Sequence, residues 1–144
     1  MVYTYAYPRP AVTVDIIVFK EVKNKNQVLL IERKNHPFKN MWALPGGFVD
    51  MDEDIETAAY RELEEETSIK NIKLTQLRAF GKPGRDPRGR TISIVYTGFL
   101  NVHKQKIEAG DDAKNLKWFY VNELPELAFD HREIIEYALA NIIQ

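Results

Sequence analysis

The stretch that most constrains this chain is Ile55 to Thr67, where the apolar stripe of a helix is continued by carboxylates. At about 100° per residue, Ile55, Ala58 and Ala59 fall on one side of the helix, and Glu62 and Glu66 fall on that same side with Glu65 adjacent. A merely solvated acidic face would lie opposite, where Glu56, Tyr60 and Glu64 are more nearly found. Like charges at i, i+4 destabilise a helix by about 0.2–0.5 kcal/mol even when exposed, and partial burial raises that cost. Something positive should offset them. Arg61 is one candidate, but a single guanidinium cannot neutralise several carboxylates, and hard oxygen donors without Cys or His suit magnesium or manganese. On helix geometry two readings stand side by side, a divalent metal site and a salt-bridged surface.

The rest of the chain supplies strands and breaks. Ala11 to Phe19 is dominated by β-branched residues and reads as a strand, with Gln27 to Ile31 as its hairpin partner across the polar stretch Lys20 to Asn26. A loop with His36 and Pro37 precedes a short strand around Trp42 to Leu44, and Pro45-Gly46-Gly47 reads as a breaker. The acidic turn Asp50 to Asp54 puts negative charge where the dipole of the Ile55–Thr67 helix favours it. Ile72 to Phe80 and Thr91 to Val102 alternate as strands, separated by the Gly, Pro and Arg rich loop Gly81 to Arg90. Leu116 to Val121 reads as a further strand, and Asp130 with Glu133 forms an expected capping box for a closing helix through Ile143.

A chain of 144 residues suits one hydrophobic core, so residues 1–144 read as a single domain. The formal net charge of -1 provides no general attraction to nucleic acid or anionic membrane, so any bound phosphate must be held locally. With no cysteine, a thiolate nucleophile, a zinc-thiolate site and a disulfide framework are all excluded, and the reducing cytoplasm is the expected location. No apolar run is long enough to suggest a signal peptide or a membrane-spanning helix.

Spacing sharpens the reading of the helix. Gly47, five residues, Glu53, seven residues and then Arg61-Glu62-Leu63-Glu64-Glu65-Glu66-Thr67-Ser68-Ile69 resembles the Nudix box. Every specified position matches except the late glycine, here Ser68, which must take a positive φ where the helix ends. Trp42-Ala43-Leu44-Pro45-Gly46-Gly47-Phe48-Val49 resembles the family's approach to the box, with Asn40 where many relatives carry glycine. The resemblance implies an α+β Nudix fold, an α/β/α sandwich with a mixed β-sheet. It also implies Glu62, Glu65 and Glu66 as metal ligands with the carbonyl of Gly46, Arg61 orienting the carboxylates and pairing with Glu53, and Mg2+ or Mn2+ as cofactor. The reaction so implied is hydrolysis of a pyrophosphate bond, in which bound cations neutralise phosphate oxygens and acidify the attacking water. Asp111 and Asp112, in a loop before a strand, are candidates for the general base, although an ordinary acidic turn explains them as well.

The box does not report the substrate. Gly81 to Arg90, with Arg85, Arg88 and Arg90, and the segment Leu127 to His131 resemble stretches of the ADP-ribose pyrophosphatase branch and its related sensing regulators. This implies ADP-ribose, cut to AMP and ribose 5-phosphate, and a homodimer. The arginines could bind phosphate or ribose through forked hydrogen bonds, or simply make the loop soluble. Phe80, Trp118 and Phe119 read as core rather than base platform, and His131 as a first-turn residue without a catalytic role. Two rival readings are a nucleoside triphosphate pyrophosphohydrolase that removes oxidised nucleotides, and a non-catalytic ADP-ribose-sensing module. The intact glutamates, and the lack of carboxyl-terminal length for a DNA-binding domain, count against the sensor.

Overall fold

The computed structural model describes residues 2–100, 110 and 113–143. Among the described residues the backbone forms a mixed sheet of seven strands with two helices. Strand β1 (Ala11–Val22) is the organising element, buried without interruption from Thr13 to Phe19 because both of its faces are covered. Val14, Ile16 and Val18 pack with Ala58, Ala59 and Leu63 of helix α1 (Ile55–Thr67), while Ile17 and Phe19 pack with Ile134, Ile135 and Ala138 of helix α2 (His131–Asn141). Since successive strand residues point to opposite faces, the two helices lie on opposite sides of the sheet.

One edge of β1 pairs in parallel with β6 (Thr91–Phe99), which in turn pairs with β5 (Thr75–Phe80). The other edge is shared. Phe19 to Val22 pair with the start of β2 (Lys25–Arg33), whereas Thr13 to Asp15 pair with β4 (Gly46–Phe48). Strand β2 also holds β7 (Ala113–Tyr120) on one side, and Ile31 and Glu32 pair with β3 (Trp42–Ala43). The two long strands therefore part beyond their short zip, and β3 and β4 bridge the opening.

Local chemistry explains the turns. Lys23 and Asn24 both take positive φ, 51° and 64°, the geometry of a two-residue hairpin whose twist matches the flanking strands. The hairpin is thus tighter than the polar stretch Lys20–Asn26 suggested. Ser68 caps α1 at φ 65° and its N–H donates to Glu64 O, so serine adopts the left-handed turn expected of the absent glycine. Asn40 likewise sits at φ 70°.

Two expectations are corrected. Pro45-Gly46-Gly47 does not only break a strand: Gly46 and Gly47 belong to β4 and align with Asp15 and Val14. The Asp130–Glu133 capping box does not form, because Asp130 makes no side-chain cap hydrogen bond and instead accepts from Arg85. No helix of the described residues is long and apolar enough to cross a membrane.

Candidate active site

Where β1 and β2 separate, a cleft of about 400 Å³ opens between Gly46–Phe48, the face of α1 carrying Glu62 and Glu66, and the start of α2. Pairing of β4 with β1 sets Gly46 and Gly47 under the glutamate helix. A Cβ at Gly47 would fall 2.5 Å from the carboxyl carbon of Glu62, so glycine there makes room for the acid. Gly46 N–H donates to Glu66 Oε1 at 3.3 Å, and Glu66 is only 5% exposed. The helix stripe is thus apolar at Ala58, Ala59 and Leu63 and acidic at its far end, as the wheel anticipates.

Arg61 is the hub of the charged network. Its Nε and Nη2 donate to the two carboxylate oxygens of Glu53 at 2.5 and 2.8 Å, a forked pairing. Nη1 donates to Glu62 Oε1 at 2.9 Å and to Glu65 Oε2 at 3.1 Å, and Nη2 also reaches Phe48 O at 3.1 Å. Glu53 in turn accepts from Asp50 N–H at 3.1 Å, closing the acidic turn onto the helix. Arg61 therefore draws together the turn, β4 and two box glutamates.

The charges respond accordingly. Hydrogen bonds from Arg61 hold the Glu53 carboxyl below the usual range. Glu53, and then Glu62, hold Arg61 above the ordinary guanidinium range against the effect of burial. Burial pushes Glu62 up, and the hydrogen bonds and charge of Arg61 only partly offset it. Glu62 also shares a hydrogen bond with Glu66. A buried and a half-buried carboxyl in contact favour a shared proton or a cation between them.

Glu62 and Glu66 line the cleft, but Glu65 does not: it turns to Arg61 with 58% of its side chain exposed. Among the described residues, no three His, Asp or Glu side chains converge on one point. The donors present, carboxylates beside a glycine-lined cradle with no sulfur, fit a hard divalent cation. Gly110 packs on the end of α1, its N–H donating to Glu66 O at 3.0 Å, and a Cβ there would run into Glu65 O. Asp111 and Asp112 lie outside the described residues.

The loop arginines diverge in role. Arg85 is buried, its side chain 5% exposed, and donates to both carboxylate oxygens of Asp130 at 2.7 and 2.9 Å. Arg88 donates to Asp86, itself buried, and Arg90 is exposed and does not line the cleft. Phe80 and Phe119 pack against the α2-side core and Trp118 against the α1-side core.

Sequence reasoning missed a buried polar group on the far wall. Leu44 N–H donates to His131 Nδ1 at 3.0 Å, which places the proton of neutral imidazole on Nε2, 3.6 Å from Asp15 Oδ1. Ser93 Oγ donates to Asp15 Oδ2 at 2.5 Å. Burial pushes the His131 imidazole down, against the opposing charge of Asp15. The one available signal was a carboxylate inside the apolar run Val14-Asp15-Ile16.

The chain is similar to known proteins along most of its length. The NUDIX domain profile matches residues 9–138. The chain is 48% identical over 130 residues to the ADP-ribose pyrophosphatase of Methanocaldococcus jannaschii, covering 90% of this chain and 73% of that protein. It is 36% identical over 140 residues to the ADPR responsive transcriptional repressor NtrR of Acinetobacter baylyi, covering 94% of this chain and 56% of the repressor. Among solved structures, the NUDIX domain of Shewanella oneidensis NrtR complexed with ADP ribose superposes with a TM-score of 0.85 at 34% identity, covering 95% of this chain and 91% of that one.

Proposed function

Because this chain belongs to the NUDIX family and is a Nudix pyrophosphohydrolase, we propose that it takes ADP-ribose as substrate and, with magnesium, hydrolyses it to AMP and ribose 5-phosphate. Manganese is the expected substitute. The observation that carries this reading is the packing of Glu62 and Glu66 against Gly46 and Gly47 at the floor of the cleft. The name of the Methanocaldococcus relative and the ADP-ribose bound by the Shewanella domain support the choice of substrate.

Glu62 and Glu66, with the carbonyl of Gly46, would hold the cation, and Glu65 would join them by turning from Arg61. A cation held there would supply charge to neutralise phosphate oxygens and to lower the pKa of a water. Arg61 opposes the effect of burial on Glu62 and fixes the helix to the turn at Glu53. One box glutamate, or Asp111 or Asp112, takes the proton of the attacking water; Gly110, which precedes these two in sequence, is bonded to α1 at Glu66 O. Water adds to one phosphorus, the bridging oxygen leaves with the other, and each product carries one phosphate. Of the loop arginines expected to bind substrate, Arg85 and Arg88 border the cleft and are assigned to the substrate side, Arg85 while paired with Asp130, whereas Arg90 lies outside it.

We further assign the chain to one domain, a homodimer and the cytoplasm. A single monomer boundary in sedimentation at working concentration would overturn the dimer.

Identification by mass of the products from ADP-ribose, against a panel of nucleoside triphosphates and with magnesium present or withheld, tests the reading. Release of pyrophosphate from triphosphates with ADP-ribose untouched would favour the nucleotide-cleaning alternative. Similarity to a transcriptional repressor named for its response to ADPR keeps a sensing role as the second reading. Tight binding of ADP-ribose without any turnover would select it.

A further inference from the structure

Between β3 and β4 the chain crosses from β2 to β1 through Leu44-Pro45. Pro45 has no N–H, and its carbonyl accepts from Ile16 N–H at 2.9 Å. The amide left to satisfy is that of Leu44, a buried residue, and an imidazole from the start of α2 satisfies it: His131 Nδ1 accepts at 3.0 Å. The crossover is thus held by a side chain where a strand would be held by backbone.

Gly46 follows directly. Ile16 N–H donates to Pro45 O and Val49 N–H to Val12 O, so Asp15 and Gly46 form one of the non-bonded pairs of the β1–β4 ladder. In such a pair the side chains approach most closely, and both main-chain groups of Gly46 turn away from β1. A Cβ at Gly46 would accordingly fall 2.6 Å from Asp15 Oδ1. Gly46 N–H faces outward to Glu66 Oε1 at 3.3 Å, and its carbonyl lies on the same edge of the strand. Among the described strands β4 pairs with β1 alone, so no further strand covers that edge.

Behind the imidazole the chain of polar groups continues. Asp15 Oδ1, 3.6 Å from His131 Nε2, favours the tautomer whose proton is on that nitrogen, which leaves the Nδ1 lone pair to Leu44. Ser93 Oγ, from β6, fixes the other carboxylate oxygen at 2.5 Å. All three residues are buried. The base of the imidazole is fastened as well, because Asp130 is gripped by Arg85 and Ala128 N–H donates to Trp42 O at 2.9 Å. Apolar residues could fill the same space without the desolvation that buried polar groups incur, so this chain is placed for geometry.

We propose that Ser93, Asp15 and His131 are positioning residues for the Gly46 carbonyl, holding Leu44-Pro45-Gly46 so that this oxygen stays on the Glu66 side as a ligand to a hard divalent cation. The ligand role rests on the proposed function; the clamp on Leu44 to Gly46 does not.

The test has two arms. In the first, manganese is titrated into the protein without substrate and the bound ion is followed by electron paramagnetic resonance. His131→Phe keeps a ring but no acceptor and is expected to weaken manganese binding about tenfold. His131→Asn, whose amide oxygen can replace Nδ1, should recover much of that loss, and Asp15→Asn should show a smaller loss in the same direction. Ile135→Val, which trims the core under the same helix without touching the polar chain, should lower the melting temperature and leave manganese affinity unchanged. In the second arm, amide hydrogen exchange is measured in EDTA. Leu44 and Gly46 should exchange about tenfold faster in His131→Phe than in Ile135→Val, while Ile134 and Ile135 keep pace with global stability.

Should His131→Phe not fold, Asp15→Asn carries both comparisons. If wild type takes up no manganese that Glu66→Gln abolishes, the metal reading of the proposed function fails and exchange at Leu44 and Gly46 alone decides the clamp. Where wild type does bind, manganese affinity in His131→Phe equal to that in Ile135→Val overturns the positioning role, whatever the exchange rates.

Discussion

Gly47 and Glu62 stand so close that the smallest side chain at position 47 would enter the space of the carboxyl group, 2.5 Å from its carbon. The glycine is therefore part of the acid's site although it carries no functional group. Gly47→Ala is expected to displace Glu62 by a fraction of an ångström or more and reduce kcat by roughly 10²-fold, with the melting temperature little changed. Steady-state kinetics beside a thermal melt separate the two effects.

Glu65→Gln and Glu66→Gln keep shape but remove negative charge. Each is expected to lower turnover by roughly 10²- to 10⁴-fold with far-ultraviolet circular dichroism unchanged. A wild-type rate in either variant would remove that residue from the reacting centre.

Arg61→Lys retains the positive charge but cannot reproduce the fork to Glu53 while also reaching Glu62 and Glu65. Activity should fall by about 10- to 100-fold, the usual scale for groups that orient ligands, and more magnesium should be needed for half-maximal rate. A magnesium titration of both proteins decides this.

Asp130 and Arg85 form a buried pair between the β5–β6 loop and the start of α2. Removing one partner strands the other, so Asp130→Ala should cost about 3 kcal/mol in urea unfolding. Arg85→Ala should cost a similar amount, and the double variant clearly less than the sum, because the two changes remove one interaction.

His131 gives the fold a pH dependence. Burial lowers its pKa in the folded state from the ordinary 6.5, so the unfolded chain binds the proton more readily. Its contribution is complete above 6.5 and is lost as pH falls through the lower folded value. Unfolding midpoints should therefore decline as the solution is acidified below about 6.5, and His131→Gln should flatten that slope. Equal slopes in the two proteins would count against the buried neutral imidazole.

What could be read from the chain alone was whatever depends on near neighbours. The helix Ile55–Thr67, its glutamate face and the left-handed exit at Ser68 follow from spacing and local backbone preference. Strand β4 was hidden because Gly46 and Gly47 carry no propensity for extended structure and pair only through Asp15 and Val14, far back in the chain. Asp130 looked like a helix cap, but a guanidinium 45 residues earlier outcompetes the helix N–H groups for it. Asp15 carried little signal, since its significance comes from contacts such as that with Ser93, 78 residues away.

The shared edge of β1 has a consequence for how this molecule tolerates change. Residues can be added at the hairpin tip, Lys23–Asn24, without altering the distance between Gly46 and Glu66, because the tip lies past the last rung. One residue inserted between Thr13 and Phe19 would instead exchange the inward and outward rows, sending Asp15 to the layer of the other helix and carrying β4 with it. Length variation in related chains should accordingly be concentrated at the tip and absent from that seven-residue span.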